Sequence, residues 1–331
     1  MDLSIIIVNW NSKDYLDNCI ASILANTQGI KFEILVIDAA SFDGCDAMLR
    51  QNYPQVRFIQ SGKNLGFAKA NNAAFTASRG RHLLFLNPDT ELVSPAINTM
   101  YDCLSRLPNA GAVGCKLLNA DRTVQTSCIK SFPTISNQFL NSEVLRALWP
   151  KSPLWGMAAL FGTGNEPEQV DAVSGACLLL KRSVFETVGL FSEEYFMYAE
   201  DVDLCYKIRQ AGYKNLYVPH ATVIHFGRGS AQKTSSDFSE IMMRESNLRF
   251  LRKTRGKFYA LGYRGTTLLC AIARIVLVTI LLRGRLVRQG GDTWKASLRK
   301  WRALLAWSLG FENWAKHSPG DGGSTLIEYE D

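Results

Sequence analysis

The chain has 331 residues, 47% of them hydrophobic and 20% charged, which is enough apolar material for a full core and excludes an intrinsically disordered chain. Its 25 glycines and 10 prolines exclude collagen-like and other low-complexity classes, and eight cysteines without a Cys-x-x-Cys pair argue against a disulfide framework or a cysteine zinc site. The net charge of +7 is uneven: residues 246–311 hold 14 Lys and Arg against one acid, Asp292, a local +13, so the remainder carries −6.

The N-terminus lacks the charged and long apolar regions of a signal peptide, which points to a cytosolic chain. Leu3 to Val8 is a continuous apolar run of the kind a parallel strand buried on both faces requires, and it ends in Asn9-Trp10-Asn11. Tyr15, Cys19, Ile20, Ile23 and Leu24 then recur at helical spacing, and Phe32 to Ile37 predicts a second strand ending at Asp38. A strand over Val56 to Ile59, a helix over Phe67 to Ser78 and a strand over His82 to Leu86 follow, the last running into Asn87-Pro88-Asp89. Ligands bind beyond the carboxyl ends of parallel strands, so Asn9, Asp38 and Asp89 are expected to line one crevice.

In the second half a helix is expected over Pro95 to Arg106, with strands near Ala112 to Leu117 and Val170 to Leu180. The aperiodic stretch from Ser131 to Asn165 reads as a long connection serving the active site. Glu200, Asp201 and Asp203 then open a helix that runs to about Gln210 and stops at Gly212, and Ala221 to His225 reads as a further strand. From Gly265 to Leu282 an 18-residue apolar run carries Arg274 as its one charge, with Arg264 before it and Arg283, Arg285 and Arg288 after it. Trp294, Trp301, Trp307 and Trp314 follow. Apolar residues, tryptophans and cations together suit an anionic membrane interface rather than a nucleic-acid groove. Peripheral attachment is the favoured expectation, because the run is at the lower length limit for a span and a central arginine is costly there. A single span and a buried C-terminal helix are the alternatives.

No Gly-x-Gly-x-x-Gly follows the first strand, where the sequence is VNWNSKD, and no Walker-type loop occurs, which removes dehydrogenases and P-loop kinases. The segments IIIVNWN (5–11), VIDAASFDG (36–44), NLGFAKANN (64–72), LNPDT (86–90), SGA (174–176), YAEDVDLCYKIRQAGY (198–213) and HFGRGS (225–230) together resemble family 2 glycosyltransferases of the GT-A fold, in the rhamnosyltransferase-like branch. The resemblance covers about Leu3 to Ser230 and implies an α/β fold with a mixed sheet flanked by helices. The expected organisation is a catalytic domain over 1–245 and a basic, Trp-rich helical region over 246–331.

The resemblance further implies an inverting, metal-dependent transferase that moves a sugar, plausibly rhamnose, from a dTDP- or UDP-sugar to a lipid-linked saccharide of the cell envelope or O-antigen. Such an enzyme would work at the cytoplasmic face of a bacterial inner membrane. It assigns Mg2+ or Mn2+ to Asp89 and His225, and the general base to Asp201. Asn9, Asn11, Asp38, Lys63, Asn64, Gly66, Asn71 and Asn87 fall to the donor, and Gly175, Glu200 and Asp203 to the acceptor. The sequence departs from the family pattern at Ala39, where an Asn is usual, and at Asn87, the first position of an Asp-x-Asp pair. A sugar-nucleotide nucleotidyltransferase and an inactive sugar-binding scaffold on the same fold remain as alternatives.

Overall fold

The computed structural model describes residues 1–139, 148, 149, 152, 166–227, 236–283, 291–312 and 326–328. Most of the 131–165 connection, the last three residues of the HFGRGS motif, and Arg285, Arg288 and Trp314 lie outside the described residues.

The first half is an open parallel sheet. Strands β1 (Leu3–Asn9), β2 (Phe32–Asp38), β3 (Arg57–Ser61) and β4 (His82–Leu86) stand in the order β3-β2-β1-β4 and alternate with helices α1 (Lys13–Asn26), α2 (Cys45–Asn52) and α3 (Gly66–Ala77). Ile5, Ile6 and Ile7 are wholly buried, as expected of a strand covered on both faces. In register, Asn9 pairs with Asp38, which puts the polar ends of β1 and β2 side by side.

The second half adds β5 (Thr90–Leu92), α4 (Ala96–Arg106), β6 (Ala110–Leu118), β7 (Ile129–Lys130), α5 (Ile135–Phe139), β8 (Glu168–Val170), β9 (Ala172–Val173) and β10 (Cys177–Lys181). These are followed by α6 (Arg182–Thr187), α7 (Glu200–Gln210) and β11 (Lys214–His225). β10 runs antiparallel between β4 and β6, so the sheet is mixed, and β11 pairs parallel with β6 and antiparallel with β5. β7 and β9 form a separate two-stranded ribbon.

The C-terminal region is three helices, α8 (Ser236–Arg255), α9 (Lys257–Arg283) and α10 (Gly291–Leu309), followed by a short edge strand β12 (Leu326–Glu328) on β3. α8 runs through the expected boundary at residue 245 and packs on the catalytic body: Ser246 donates to the Met197 carbonyl at 2.9 Å, and Lys253 Nζ lies 2.9 Å from Asp203 Oδ1. α9 has two faces. Ala260, Tyr263, Thr267, Ala271 and Val278 are buried, whereas Phe258, Leu261, Leu269, Ile272, Val276 and Ile280 are exposed.

Arg264 and Trp307, expected at lipid, are engaged between the C-terminal helices instead, whereas Arg274 is exposed. Arg264 donates to the carbonyls of Trp307 and Ser308 at 2.9 and 3.0 Å, closing the end of α10, where carbonyls lack helical partners. Trp307 is buried and donates to Glu245 at 3.0 Å, and Arg274 lies over the Trp301 ring at 5.8 Å. The bonds of Arg264 and Trp307 satisfy groups that an apolar bundle interior would otherwise leave unpaired.

Candidate active site

At the ends of β1 and β2, Asn9 Nδ2 donates to Asp38 Oδ1 at 2.8 Å. Asp38 also accepts from the Ser41 and Phe42 amides at 2.9 and 3.2 Å, from Gln60 Nε2 at 2.8 Å, and from the Ser41 hydroxyl. Ala40 and Phe42 hold left-handed φ values of 58° and 51°, so the loop folds its amides back onto the carboxylate at a conformational cost. Asp43 takes the Lys13 amide at 3.0 Å and the Cys45 amide at 3.1 Å. Burial works against its charge, but hydrogen bonds from Asn9 and Cys45 prevail and hold it below the usual carboxylate range.

Asp38, Asp43 and Cys45 bring potential ligand atoms within 4.8 Å of one another. Their carboxylate oxygens are already met by N–H donors, however, and burial followed by the charges of Asp38 and Asp43 pushes the Cys45 thiol far up, so it stays protonated. The chemistry is that of a hydrogen-bond knot at the ends of β1 and β2 rather than a cation cage. Asn11, in the turn after β1, is left-handed with φ 54° and half-buried, and the family's Asn position is filled by the buried Ala39.

A second cluster forms where β4 ends and β11 returns. Asp89 Oδ1 lies 3.4 Å from His225 Nε2, and Asn87 Nδ2 is 3.2 Å from the same nitrogen. The pairing of His225 with Thr90 across β11 and β5, and the bond from the Phe226 amide to the Asp89 carbonyl at 2.9 Å, set this geometry. Gln125, which no motif marks, fixes the ring. Its amide nitrogen donates to Asn119 Oδ1 and the His225 carbonyl at 3.1 and 3.4 Å, so its oxygen faces His225 Nδ1 at 2.7 Å. Nδ1 is thus placed to donate to Gln125, which turns Nε2 toward Asp89 and Asn87. A hard carboxylate beside an imidazole nitrogen fits a divalent cation, and the outer hydrogen bond at Nδ1 is the support such histidine ligands use.

The third cluster is at the start of α7. Tyr198 and Ala199 are consecutive left-handed residues, with φ 69° and 62°, and they aim the first turn of the helix into the crevice. Asp201 Oδ2 accepts from Lys130 Nζ at 2.7 Å and from the Gly175 amide at 2.9 Å, while Oδ1 accepts from the Val202 amide at 2.8 Å. Gly175 fits this contact: a Cβ there would stand 3.2 Å from Asp201 Cβ and 3.6 Å from the Phe67 ring. Glu200 is 8% exposed, and its Oε2 has no hydrogen-bond partner among the described residues. Burial first, and then the neighbouring Asp201 charge, push its carboxyl up to about 8.

Other expected site residues serve the frame. Asp203 is wholly buried and engaged by Ser192 Oγ at 2.6 Å, Tyr195 Oη at 3.4 Å and Lys253 Nζ, so it ties α7 to α8. Asn64 Oδ1 accepts the Gly66 amide at 2.9 Å, an Asx turn opening α3, and the half-buried Lys63 is held through its backbone by Ser61. Asn71 is buried and donates to the Phe67 carbonyl one turn back at 2.9 Å. Gly66, expected beside the donor, lies against the backbone that leads into α7: at φ 69°, an added Cβ would lie 2.3 Å from the Phe196 carbonyl oxygen.

A parallel half-sheet with the buried Asp38 and an Asp89–His225 pair at its strand ends, and Asp201 at a helix start, is an arrangement that fits a sugar-nucleotide-dependent transferase of the GT-A type. The sequence pattern of glycosyl transferase family 2 matches residues 4–189, and the chain belongs to that family. It is 33% identical over 237 residues to the N-acetylglucosaminyl-diphospho-decaprenol L-rhamnosyltransferase of Mycobacterium tuberculosis, covering 67% of this chain and 75% of that one. The rhamnosyltransferase WbbL of Escherichia coli is 26% identical over 236 residues, 67% of this chain and 82% of that protein. Among solved structures, the mannosyltransferase PcManGT of Pyrobaculum calidifontis, in complex with GDP-Man and Mn2+, shares the fold with a TM-score of 0.55 and 15% identity over 95% of this chain and 88% of its own. The protein is thus a glycosyltransferase, and the nucleotidyltransferase and inactive-scaffold alternatives fall away.

Proposed function

We propose that this glycosyltransferase moves a sugar, with rhamnose the first candidate, from a dTDP- or UDP-linked donor to a lipid-linked saccharide of the cell envelope, with inversion at the anomeric carbon. The observation that carries the proposal is the contrast between two carboxylates: Asp89 faces His225 Nε2 at 3.4 Å, the setting of a cation ligand, whereas Asp201 is ion-paired to Lys130 at 2.7 Å, the setting of a base. The names of two relatives supply the sugar, and one of them supplies the acceptor class, a saccharide on a diphospholipid.

Asp89 and His225 would hold Mg2+ or Mn2+, which offsets charge on the departing nucleoside diphosphate. Asp38 would accept the ring N–H of uracil or thymine, the Ser41 hydroxyl rotating to yield its place. Asp201 takes the acceptor hydroxyl proton on Oδ1 while that oxygen bonds to C1 of the sugar. The C1–O bond to the diphosphate breaks, and its electron pair leaves with the phosphate.

The exposed stripe of α9 suits the cytoplasmic surface of a bacterial inner membrane. Lys257–Ile280 is long and apolar enough to cross a bilayer, with 22% of its apolar window buried. Its inner face is nevertheless committed to α8 and α10, which favours a helix lying in the interface.

The test supplies the full-length protein with dTDP-rhamnose, UDP-sugars as comparators, Mn2+ and a synthetic N-acetylglucosaminyl-diphospholipid. Transfer with inverted configuration, abolished by a chelator and restored by Mn2+, is the expected result. Retained configuration, or activity indifferent to chelation, overturns the corresponding part.

A further inference from the structure

The ribbon of β7 and β9 converges on Asp201. Ile129 pairs with Val173 and Lys130 with Ala172, so the ribbon delivers Lys130 from one strand and, just past the other, the Gly175 amide, both onto Asp201 Oδ2. Phe132, two residues beyond Lys130, is packed edge-on against Tyr206 of α7 with ring centroids 5.2 Å apart, and its amide donates to Asp171 at 3.3 Å. The lysine is therefore anchored on both sides. Its side chain is 34% exposed and that of Asp201 6%, so the pair is largely shielded from water.

Two adjacent carboxyl groups share this corner: Lys130 is paired directly with Asp201 at 2.7 Å and reaches Glu200 through its charge alone. Among the described residues, Lys130, Glu200 and Cys205 are titratable neighbours of Asp201. Cys205 is fully buried, and its thiol is pushed up to about 12 by burial, so it holds its proton. Glu200 has no donor for Oε2, whereas Asp201 has three donors on its two oxygens. Burial works against the charge of Lys130, but the Asp201 carboxylate prevails and holds the ammonium above its usual range.

Resting on the assignment of Asp201 as the base, we propose that Lys130 is its positioning residue: the ammonium locks the carboxylate through Oδ2 and leaves Oδ1 to take the proton. Without the ammonium, two neighbouring carboxyls compete for one proton, and the base is neutralised over part of the working pH range.

The experiment uses full-length Lys130→Met, Lys130→Arg and Asp201→Asn with dTDP-rhamnose, Mn2+ and the same synthetic diphospholipid acceptor, measuring kcat and donor KM from pH 5 to 9. Lys130→Met is expected to lose about 100-fold in kcat at pH 7 with donor KM changed less than about threefold, and to move the acid limb of the profile upward. Lys130→Arg, which keeps the charge, is expected to recover at least about tenfold of that loss and the original limb. Wild-type kcat and limb in Lys130→Met, or an arginine no better than methionine, overturns the proposal. Should Lys130→Met fail to fold, the comparison of Lys130→Arg with Lys130→Gln carries the same test. An active Asp201→Asn defeats the base assignment itself, whereas an inactive Asp201→Asn beside a fully active Lys130→Met defeats the role of the lysine alone.

Discussion

Gln125 Oε1 sits 2.7 Å from His225 Nδ1, and this contact decides what the opposite side of the ring offers to Asp89. Without it the imidazole can adopt the other tautomer, placing a proton between itself and the carboxylate where a cation belongs. Gln125→Leu is therefore expected to raise the Mn2+ concentration for half-maximal transfer by about 10- to 100-fold, with most of kcat recovered at saturating metal. A Mn2+ titration of transfer rate, alongside His225→Ala, measures this, and an unchanged midpoint would show that the ring needs no such support.

Glu200 gives the fold a pH dependence of definite sign. Its carboxyl titrates near 4.5 when unfolded and is raised to about 8 by burial and by Asp201. The folded state thus keeps a proton that the unfolded state loses, so stability falls as pH rises through that window and levels off above it. Glu200→Gln cannot ionise and escapes this loss. Thermal melts from pH 5 to 9 are expected to show the variant gaining on the wild type by roughly 5 °C across the range. Parallel curves would mean that Glu200 is ionised in the folded protein.

The strands of the first half are legible because burial on both faces writes them as unbroken apolar runs, and their polar ends mark the crevice. β11 is harder. Only its second half reads as a strand, because Pro219 and His220 interrupt the first, and the sheet absorbs them in a register shift between Val218 and Thr222. In the site, residues at strand or helix ends within motifs can be found by sequence: Asn9, Asp38, Asp89, Asp201 and His225. Gln125 and Lys130 cannot, because they come from a stretch without periodicity and reach the site only through long-range pairing. Asp203 misleads because three acids look equivalent in a line, yet two steps of about 100° turn it to the far side of the helix from Asp201. Arg264 and Trp307 mislead for a similar reason: helical periodicity alone does not say which stripe meets another helix.

Gly66 links the start of α3 to the segment that leads into α7. Its backbone at φ 69° abuts Phe196, and the following Phe67 amide donates to the Phe196 carbonyl at 3.0 Å. Gly66→Ala has to push that loop away and also strains its own backbone. A loss of about 2–4 kcal/mol in urea unfolding is expected, with a fall in kcat larger than any change in donor KM, because the displaced segment leads directly into Glu200 and Asp201. A variant with wild-type stability would mean that the loop yields freely.

The membrane proposal is tested on the exposed face of α9 and not by deletion, since removing residues from 246 onward would cut α8 and strip Lys253 from the buried Asp203. Leu269 and Val276 are 68% and 51% exposed and lie two turns apart on the outward stripe. Burying such a side chain in an apolar medium is worth about 1.5–3 kcal/mol, and a carboxylate in its place is repelled by anionic head groups as well. Leu269→Glu with Val276→Glu is expected to weaken binding to phosphatidylglycerol vesicles by at least about 100-fold while the melting temperature and metal dependence stay at wild-type values. Co-sedimentation with anionic and neutral vesicles reads both contributions. If the double variant bound as tightly as the wild type, the stripe would not be the docking face, whatever holds the enzyme at lipid.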